Sequence, residues 1–328
     1  MPAISMPHET LESNTYVDLR AITGRDFHLK CEGFNFAGSV KMRTAAGLIS
    51  AAERDGLIKP DSILIESSSG NLGLAIAAIS ANKGMRFVCV TDPKCNRSTK
   101  SLLQALGAEV IVVSAPETEG GYLSARLDYV RNKCAGDARY VWLNQYANPA
   151  SWTSHYETTA VEIAKDFPDL DVLFVGAGTG GTLMGCARYF RENGHQAKIV
   201  AVDACGSVSF GGAPGKRMIP GLGTGVRPQL LDPSFVDDVI HVPEPDTVRC
   251  CRALARKGFL LGGSTGTVVS GAVKWLELHD PQRRLRAVGI SPDLADRYAH
   301  TIYDDHWVVE NFGAEVLDSP TIPGLYES

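Results

Sequence analysis

The sequence predicts an α/β protein of two doubly wound domains with mainly parallel sheets. Three observations carry this. Short apolar runs alternate with helical stretches along most of the chain, the pattern of strands covered on both faces. Two of the strand-to-helix turns, 66–73 and 175–182, are dense in Gly and Ser. The chain has 328 residues, 44% of them hydrophobic, enough for two cores rather than one.

The elements follow in order. The start, 1–14, is polar and reads as a frayed lead-in without the charged-then-apolar order of a signal peptide. Asn35 to Arg43 places one lysine, Lys41, behind Gly38-Ser39, with Ser39 as an N-cap for a small-residue helix over 44–52. Strands are expected at 62–66, 86–90, 109–113 and 140–143, with helices at 72–82, 98–106, 122–133 and 156–165 between and after them. The second half repeats this rhythm. Strands fall at 171–175, 198–203, 239–242 and 286–290, and helices at 182–192, 245–257 and 265–278. The passage 206–225 is too rich in Gly and Pro for a regular element. Domain boundaries are poorly marked; we expect a smaller mobile domain over 41–144, a larger one from 15–40 and 145–315, and tails at 1–14 and 316–328.

Composition excludes several functions. Thirty-seven acidic against 32 basic residues give a net charge of −5, which argues against a nucleic-acid or membrane-surface partner. No apolar run approaches the roughly 20 residues of a membrane span. Eight cysteines lie at irregular spacing without a C-x-x-C pair, as expected of reduced, buried thiols in a cytoplasmic protein. No Cys/His cluster has metal-site spacing, so no metal is expected.

Lysine condenses with carbonyl cofactors, and its pKa falls readily on burial. Three turns could complete a site around Lys41. Ser67 to Gly73 presents N–H groups and hydroxyls at a helix start, suited to a carboxylate, with Asn71 as an amide donor; the plain alternative is serine capping. Gly176 to Thr182 brings backbone close to an anion at another helix start. It also satisfies G-x-G-x-x-G, and Asp203 ends the next strand, so spacing alone leaves a dinucleotide site open. Leu261 to Gly266 holds Ser264, either an N-cap or a hydroxyl for a ring nitrogen.

Together these motifs resemble the fold-type II pyridoxal-phosphate enzymes of the cysteine synthase family. The carriers are Asn35 to Arg43, Ser68 to Gly73, Gly178-Thr179-Gly180-Gly181-Thr182 and Gly262 to Gly266, in the family's order. The lysine motif departs at Phe36, Ala37 and Met42, where the family has Pro, Gly and Asp. Further passages resemble the branch that makes N-(2-amino-2-carboxyethyl)-L-glutamate on the way to 2,3-diaminopropionate for siderophores. These include Glu66 to Gly73, Asp92-Pro93-Lys94, Gly120 to Leu123, Asn144 to Asn148, Trp152 to Tyr156, Val202 to Val208 and Asp296 to Tyr298.

The resemblance implies a tryptophan synthase β-like fold with pyridoxal 5'-phosphate in an interdomain cleft, a homodimer, and small amino-acid substrates. It implies that Lys41 holds the cofactor and serves as general base, that Gly178 to Thr182 hold its phosphate, that Asn71 meets the ring oxygen and that Ser264 meets the ring nitrogen. A hydroxyl there keeps the ring neutral, a weaker electron sink that favours loss of a β-leaving group. Ser68, Ser69 and Gly70 would take the substrate carboxylate; Arg126 and Tyr146 would meet the anionic groups of O-phospho-L-serine and L-glutamate. Ser207 and 206–225 would border the substrate entrance. His155 is expected as a packed or capping residue. The alternatives are a cysteine synthase, an ammonia-using diaminopropionate synthase, a nicotinamide-dependent oxidoreductase built on Gly176 to Gly181 and Asp203, and a non-catalytic protein retaining the fold.

Overall fold

The structure, a computed structural model, describes residues 4–11, 15–116 and 121–318. Gly120, part of one of the motifs above, lies outside these residues, as do 319–328 of the expected C-terminal tail. Ten strands appear among the described residues: β1 Tyr16–Asp18, β2 Phe27–Cys31, β3 Ile63–Ser67, β4 Arg86–Thr91, β5 Glu109–Val112, β6 Tyr140–Trp142, β7 Val172–Gly176, β8 Lys198–Ala204, β9 Asp238–Val242 and β10 Ala287–Ser291. The chain divides into two compact units, one of 1–12 and 35–154, the other of 13–34 and 155–328.

The first unit carries a four-stranded sheet in the order β5-β4-β3-β6, parallel throughout. Its central strand β3 is buried along its whole length, the run of apolar side chains that a two-sided sheet requires. Leu64 and Phe87 pack with Leu48 and Ile49 of the Lys41–Arg54 helix and Ile76 of the Asn71–Lys83 helix. Ile63, Ile65, Val88 and Val90 form a separate cluster with Val130. The lead-in is more ordered than expected: Pro7–Leu11 forms a helical turn, and Asn82 Nδ2 donates to Ser5 O at 3.2 Å.

The second unit has six strands in the order β1-β2-β10-β7-β8-β9, with only β1 antiparallel to its neighbour. Val172, Phe174, Val200 and Val202 face a core shared with Val268, Val269, Val273 and Trp275 of the Gly263–His279 helix. Three aromatics lock it: Phe174 meets Phe27 edge-on at 6.0 Å and Trp275 at 5.6 Å.

The β1–β2 pair was not read from the sequence. β2 carries Lys30 inside it, which breaks the apolar pattern; the structure buries Lys30 completely and pairs it with Glu162 at 2.6 Å. The helices Ala150–Glu157 and Asp305–Phe312 were also not read, being short and rich in polar residues. All eight cysteines are free; six are buried, Cys134 is half-buried and Cys205 is exposed, against the expectation of a wholly buried set. No helix among the described residues is long and apolar enough to cross a membrane.

Phe174 touches both aromatic neighbours and is fully buried. Truncation to Ala is expected to destabilise this unit by about 3–5 kcal/mol, read as a lower urea midpoint by tryptophan fluorescence. A loss below ~1 kcal/mol would show that the aromatic core is not what holds the sheet.

Candidate active site

Lys41 is the first residue of its helix. The loop before it is built by Asn35. Its Oδ1 accepts from Ala37 N at 3.0 Å and Ser39 N at 3.4 Å, and its Nδ2 donates to Ser39 O at 2.9 Å. Val40, not Ser39, occupies the N-cap, but Ser39 Oγ accepts from Lys41 N at 3.4 Å. Gly38 turns with φ +64°, a left-handed conformation. Met42, where the family has Asp, is fully buried in the core around Leu48 and Ile49, so an apolar residue suits that position.

The Ser-rich turn follows β3 directly and ends in the helix that Asn71 begins. Ser68 is a capping serine: its Oγ accepts from Gly70 N at 3.2 Å and Gly73 N at 3.0 Å. That leaves its hydroxyl hydrogen as a donor for a carboxylate. Ser69 and Gly70 are half-buried in the same turn. Gly73 admits no side chain, since a Cβ there would stand 2.9 Å from Cys89 Sγ.

Arg126 lies in the Gly121–Gly136 helix and is buried, not a solvated helix cation. Its Nε stands 3.4 Å from Asp92 Oδ2 and 3.4 Å from Tyr122 O, while Nη1 is buried with no hydrogen-bond partner. A buried guanidinium nitrogen left unmatched is costly in isolation, and an anion would satisfy it. Its charge acts on Tyr146, whose phenol burial pushes up to about 12 against the opposing pull of Arg126.

In the second unit, Gly178 to Thr182 run from the end of β7 into the Gly181–Glu192 helix. Gly180 has φ +90°, and a Cβ on Gly178 would meet Gly221 O at 3.1 Å. The first N–H groups of that helix have no carbonyl of their own turn to bond, which is the arrangement that receives a phosphate. Thr182 is buried, its Oγ1 3.3 Å from His155 Nε2, while His155 Nδ1 lies 3.0 Å from Thr159 Oγ1. His155 is therefore packed as expected, and its partner Thr182 belongs to the glycine loop.

Ser264 is buried in the first turn of the Gly263–His279 helix, after Gly262 at the N-cap. The glycines beside it let other groups approach. A Cβ on Gly262 would fall 2.0 Å from Asp293 Oδ1, and one on Gly263 would fall 2.8 Å from the Tyr298 ring. The Tyr298 phenol donates to Asp293 Oδ2 at 2.8 Å; burial and that carboxylate push it well above its ordinary pKa. Gly221, which spacing did not single out, has φ +113°, and a Cβ there would stand 2.2 Å from Ser264 Oγ. Its signal in the sequence is faint, one glycine among many in 206–225.

That passage is ordered despite lacking regular structure. Arg217 Nη1 donates to Gly206 O at 2.7 Å and Thr224 O at 3.0 Å. Ser207 is fully buried, and its hydroxyl accepts from Thr224 N at 3.1 Å. It is an internal tie, not a border of a substrate entrance.

One expectation for other chemistry falls. Asp203 is completely buried and its Oδ1 accepts from Ala204 N at 2.8 Å, so it cannot reach a ribose diol. The described residues contain no group of three or more potential metal ligands.

Within the second unit, the helix N–H groups that open onto Gly178 to Thr182 and the buried Ser264 hydroxyl are chemically suited to pyridoxal phosphate; the Gly178 and Gly221 positions, where a Cβ would crowd neighbouring atoms, are the observation that tests the fit. Residues 10–293 match the family described as "Pyridoxal-phosphate dependent enzyme", and the chain belongs to that family. It is thus a pyridoxal-phosphate-dependent enzyme. Among curated proteins it is 42% identical over 282 residues to an N-(2-amino-2-carboxyethyl)-L-glutamate synthase of Ralstonia nicotianae, covering 85% of this chain and 82% of the relative. It is 40% identical over 323 residues to the protein of the same name from Cupriavidus metallidurans, covering 97% and 93%. Among solved structures, a hydrogen sulfide-producing enzyme of Fusobacterium nucleatum superposes with TM-score 0.84 at 30% identity, over 90% of this chain and all of that one. The dinucleotide reading of Gly176 to Gly181 is overturned by this family membership and by the burial of Asp203.

Gly221→Ala is expected to displace the Ser264 hydroxyl and weaken pyridoxal-phosphate retention about ten-fold or more, measured by titrating the apoenzyme with cofactor and following visible absorbance. Retention equal to wild type would show that Gly221 does not guard Ser264.

Proposed function

We propose that this enzyme performs β-replacement on an activated L-serine, joining O-phospho-L-serine to L-glutamate to give N-(2-amino-2-carboxyethyl)-L-glutamate and phosphate. The observation that carries the choice of substrates is the buried Arg126 with Nη1 unmatched beside Tyr146. The names of the two relatives at 40–42% identity support the same reaction.

In this reading Lys41 carries the cofactor, Asn71 donates to the ring oxygen, Ser264 meets the ring nitrogen, and Gly178, Thr179, Gly180, Gly181 and Thr182 receive the phosphate. Bound there, pyridoxal phosphate supplies the electron sink that lets an α-proton and a β-leaving group depart. Lys41 Nζ takes the α-proton as general base. The Ser68 hydroxyl, with Ser69 and Gly70, orients the substrate carboxylate. Arg126 and Tyr146 hold the anionic groups of the donor and of glutamate. The Cβ–O bond breaks with the electron pair leaving on phosphate, the glutamate nitrogen gives up one proton, balancing the one the departing phosphate takes up, and forms the Cβ–N bond, and Lys41 returns its proton to Cα. The two half-reactions predict ping-pong kinetics.

The proposal includes the homodimer that the family resemblance implies, a cytoplasmic location in keeping with eight free thiols, and a place on the way to 2,3-diaminopropionate for siderophore or peptide synthesis.

The test is incubation of the holoenzyme with O-phospho-L-serine and L-glutamate, with phosphate release and product mass as readouts. Glutamate-dependent release and the coupled product are expected. Product with sulfide alone would make it a cysteine synthase, and product with ammonia alone a direct diaminopropionate synthase; either contradicts the proposal. Arg126→Leu should lower kcat/KM for O-phospho-L-serine about 10–100-fold and leave O-acetyl-L-serine less affected. An equal loss on both donors would remove Arg126 from the phosphate.

A further inference from the structure

We infer that Glu66 is a positioning residue, a carboxylate clamp that sets Tyr146 and the Ser68–Gly70 turn for substrate. The inference rests on the β-replacement reading and deepens it.

Glu66 is fully buried near the end of β3, and the mechanism above gives it no step. Its Oε1 accepts from Ser67 N at 2.8 Å and from Trp142 Nε1 at 3.3 Å; its Oε2 accepts from Gln145 N at 3.1 Å. Gln145 answers with its side chain, Nε2 donating to Ser67 O at 3.0 Å. One carboxylate thus ties the end of β3 to the segment after β6. Ser67 leads into the serine turn, and Gln145 precedes Tyr146.

The segment needs such a tie. Asn144 takes φ +54°, a left-handed conformation unusual for a residue with a side chain. The rest of the segment is held from its far side, where Ser151 Oγ donates to Gln145 O at 3.0 Å and Asn148 Nδ2 to Leu143 O at 3.0 Å. The Glu66–Gln145 bonds hold the near side, between Asn144 and Tyr146.

Ser67 N, Trp142 Nε1 and Gln145 N all meet Glu66 as N–H donors. A carboxylate offers acceptors on both oxygens, whereas a glutamine would set its own NH2 against one of those donors. Gln is therefore nearly isosteric and opens one arm of the clamp. Burial pushes the Glu66 carboxyl up to about 7, while bonds from Gln145 and Ser67 pull it down. A residue that only filled the space under β3 would be cheaper as an apolar side chain.

The test is a double-mutant cycle of Glu66→Gln and Tyr146→Phe in the holoenzyme, with wild type assayed alongside on O-phospho-L-serine and L-glutamate. Each single variant should keep the visible cofactor band, hold kcat within about three-fold, and raise the amino-acid KM about ten-fold. The double variant should lie within about three-fold of the worse single, because both act on one contact. Multiplicative effects, near hundred-fold in the double, would reduce Glu66 to a structural support and overturn the inference. So would an unchanged KM in Glu66→Gln. A wild type inactive on these substrates defeats the proposed reaction and not the clamp; Glu66→Gln is then read on O-acetyl-L-serine and sulfide, where the Ser68–Gly70 turn still meets the donor carboxylate and the same rise in the amino-acid KM is expected. If Glu66→Gln does not fold, Gln145→Leu opens the clamp from its other side and is held to the same outcomes.

Discussion

Two helices in this protein begin where a parallel strand has just ended, with almost no chain between. The Asn71 helix follows β3 after three residues, and the Gly181 helix follows β7 after four. A helix start leaves N–H groups that its own turn cannot bond, and burial makes leaving them unmatched expensive. The local sequence answers in two ways. At 68–73 a serine hydroxyl accepts from two of the N–H groups in the turn. At 178–182 glycines strip away side chains, so that an outside anion can do so. The proposed roles of these two turns follow from this constraint.

A second layer consists of charges buried in pairs or against backbone. Glu66 gathers N–H donors from two strand ends, and Asp92 holds the Nε side of Arg126. Asp293 accepts a hydrogen bond from the Tyr298 hydroxyl behind Ser264. None of these carboxylates is placed to react. Each fixes a neighbouring polar group, and desolvation is what makes the fixing strong.

Much of this was legible in the sequence. Alternation of apolar runs and helices located every parallel strand but β2 within a residue or so, because strands buried on both faces must be apolar throughout. Gly178 to Thr182 and Asn71 stood out through residue types that strand-to-helix turns need. What escaped notice had a physical disguise. Lys30 hid β2 by placing a paired charge inside a buried strand, and Glu66 looked like the polar end of one. Gly221 was lost among neighbouring glycines, since only the approach of Ser264 Oγ in space makes it special. Nothing in the sequence around Arg126 marks it as buried; only the fold does.

Lys41 is the residue on which the account turns, and it can be tested without any substrate. The holoenzyme, treated with borohydride to fix the lysine–cofactor linkage, would be digested and mapped by mass spectrometry. The account predicts the pyridoxyl mass on the peptide containing Lys41 and on no other. A label on Lys30 or any other lysine, or none at all in a protein loaded with pyridoxal phosphate, would contradict it.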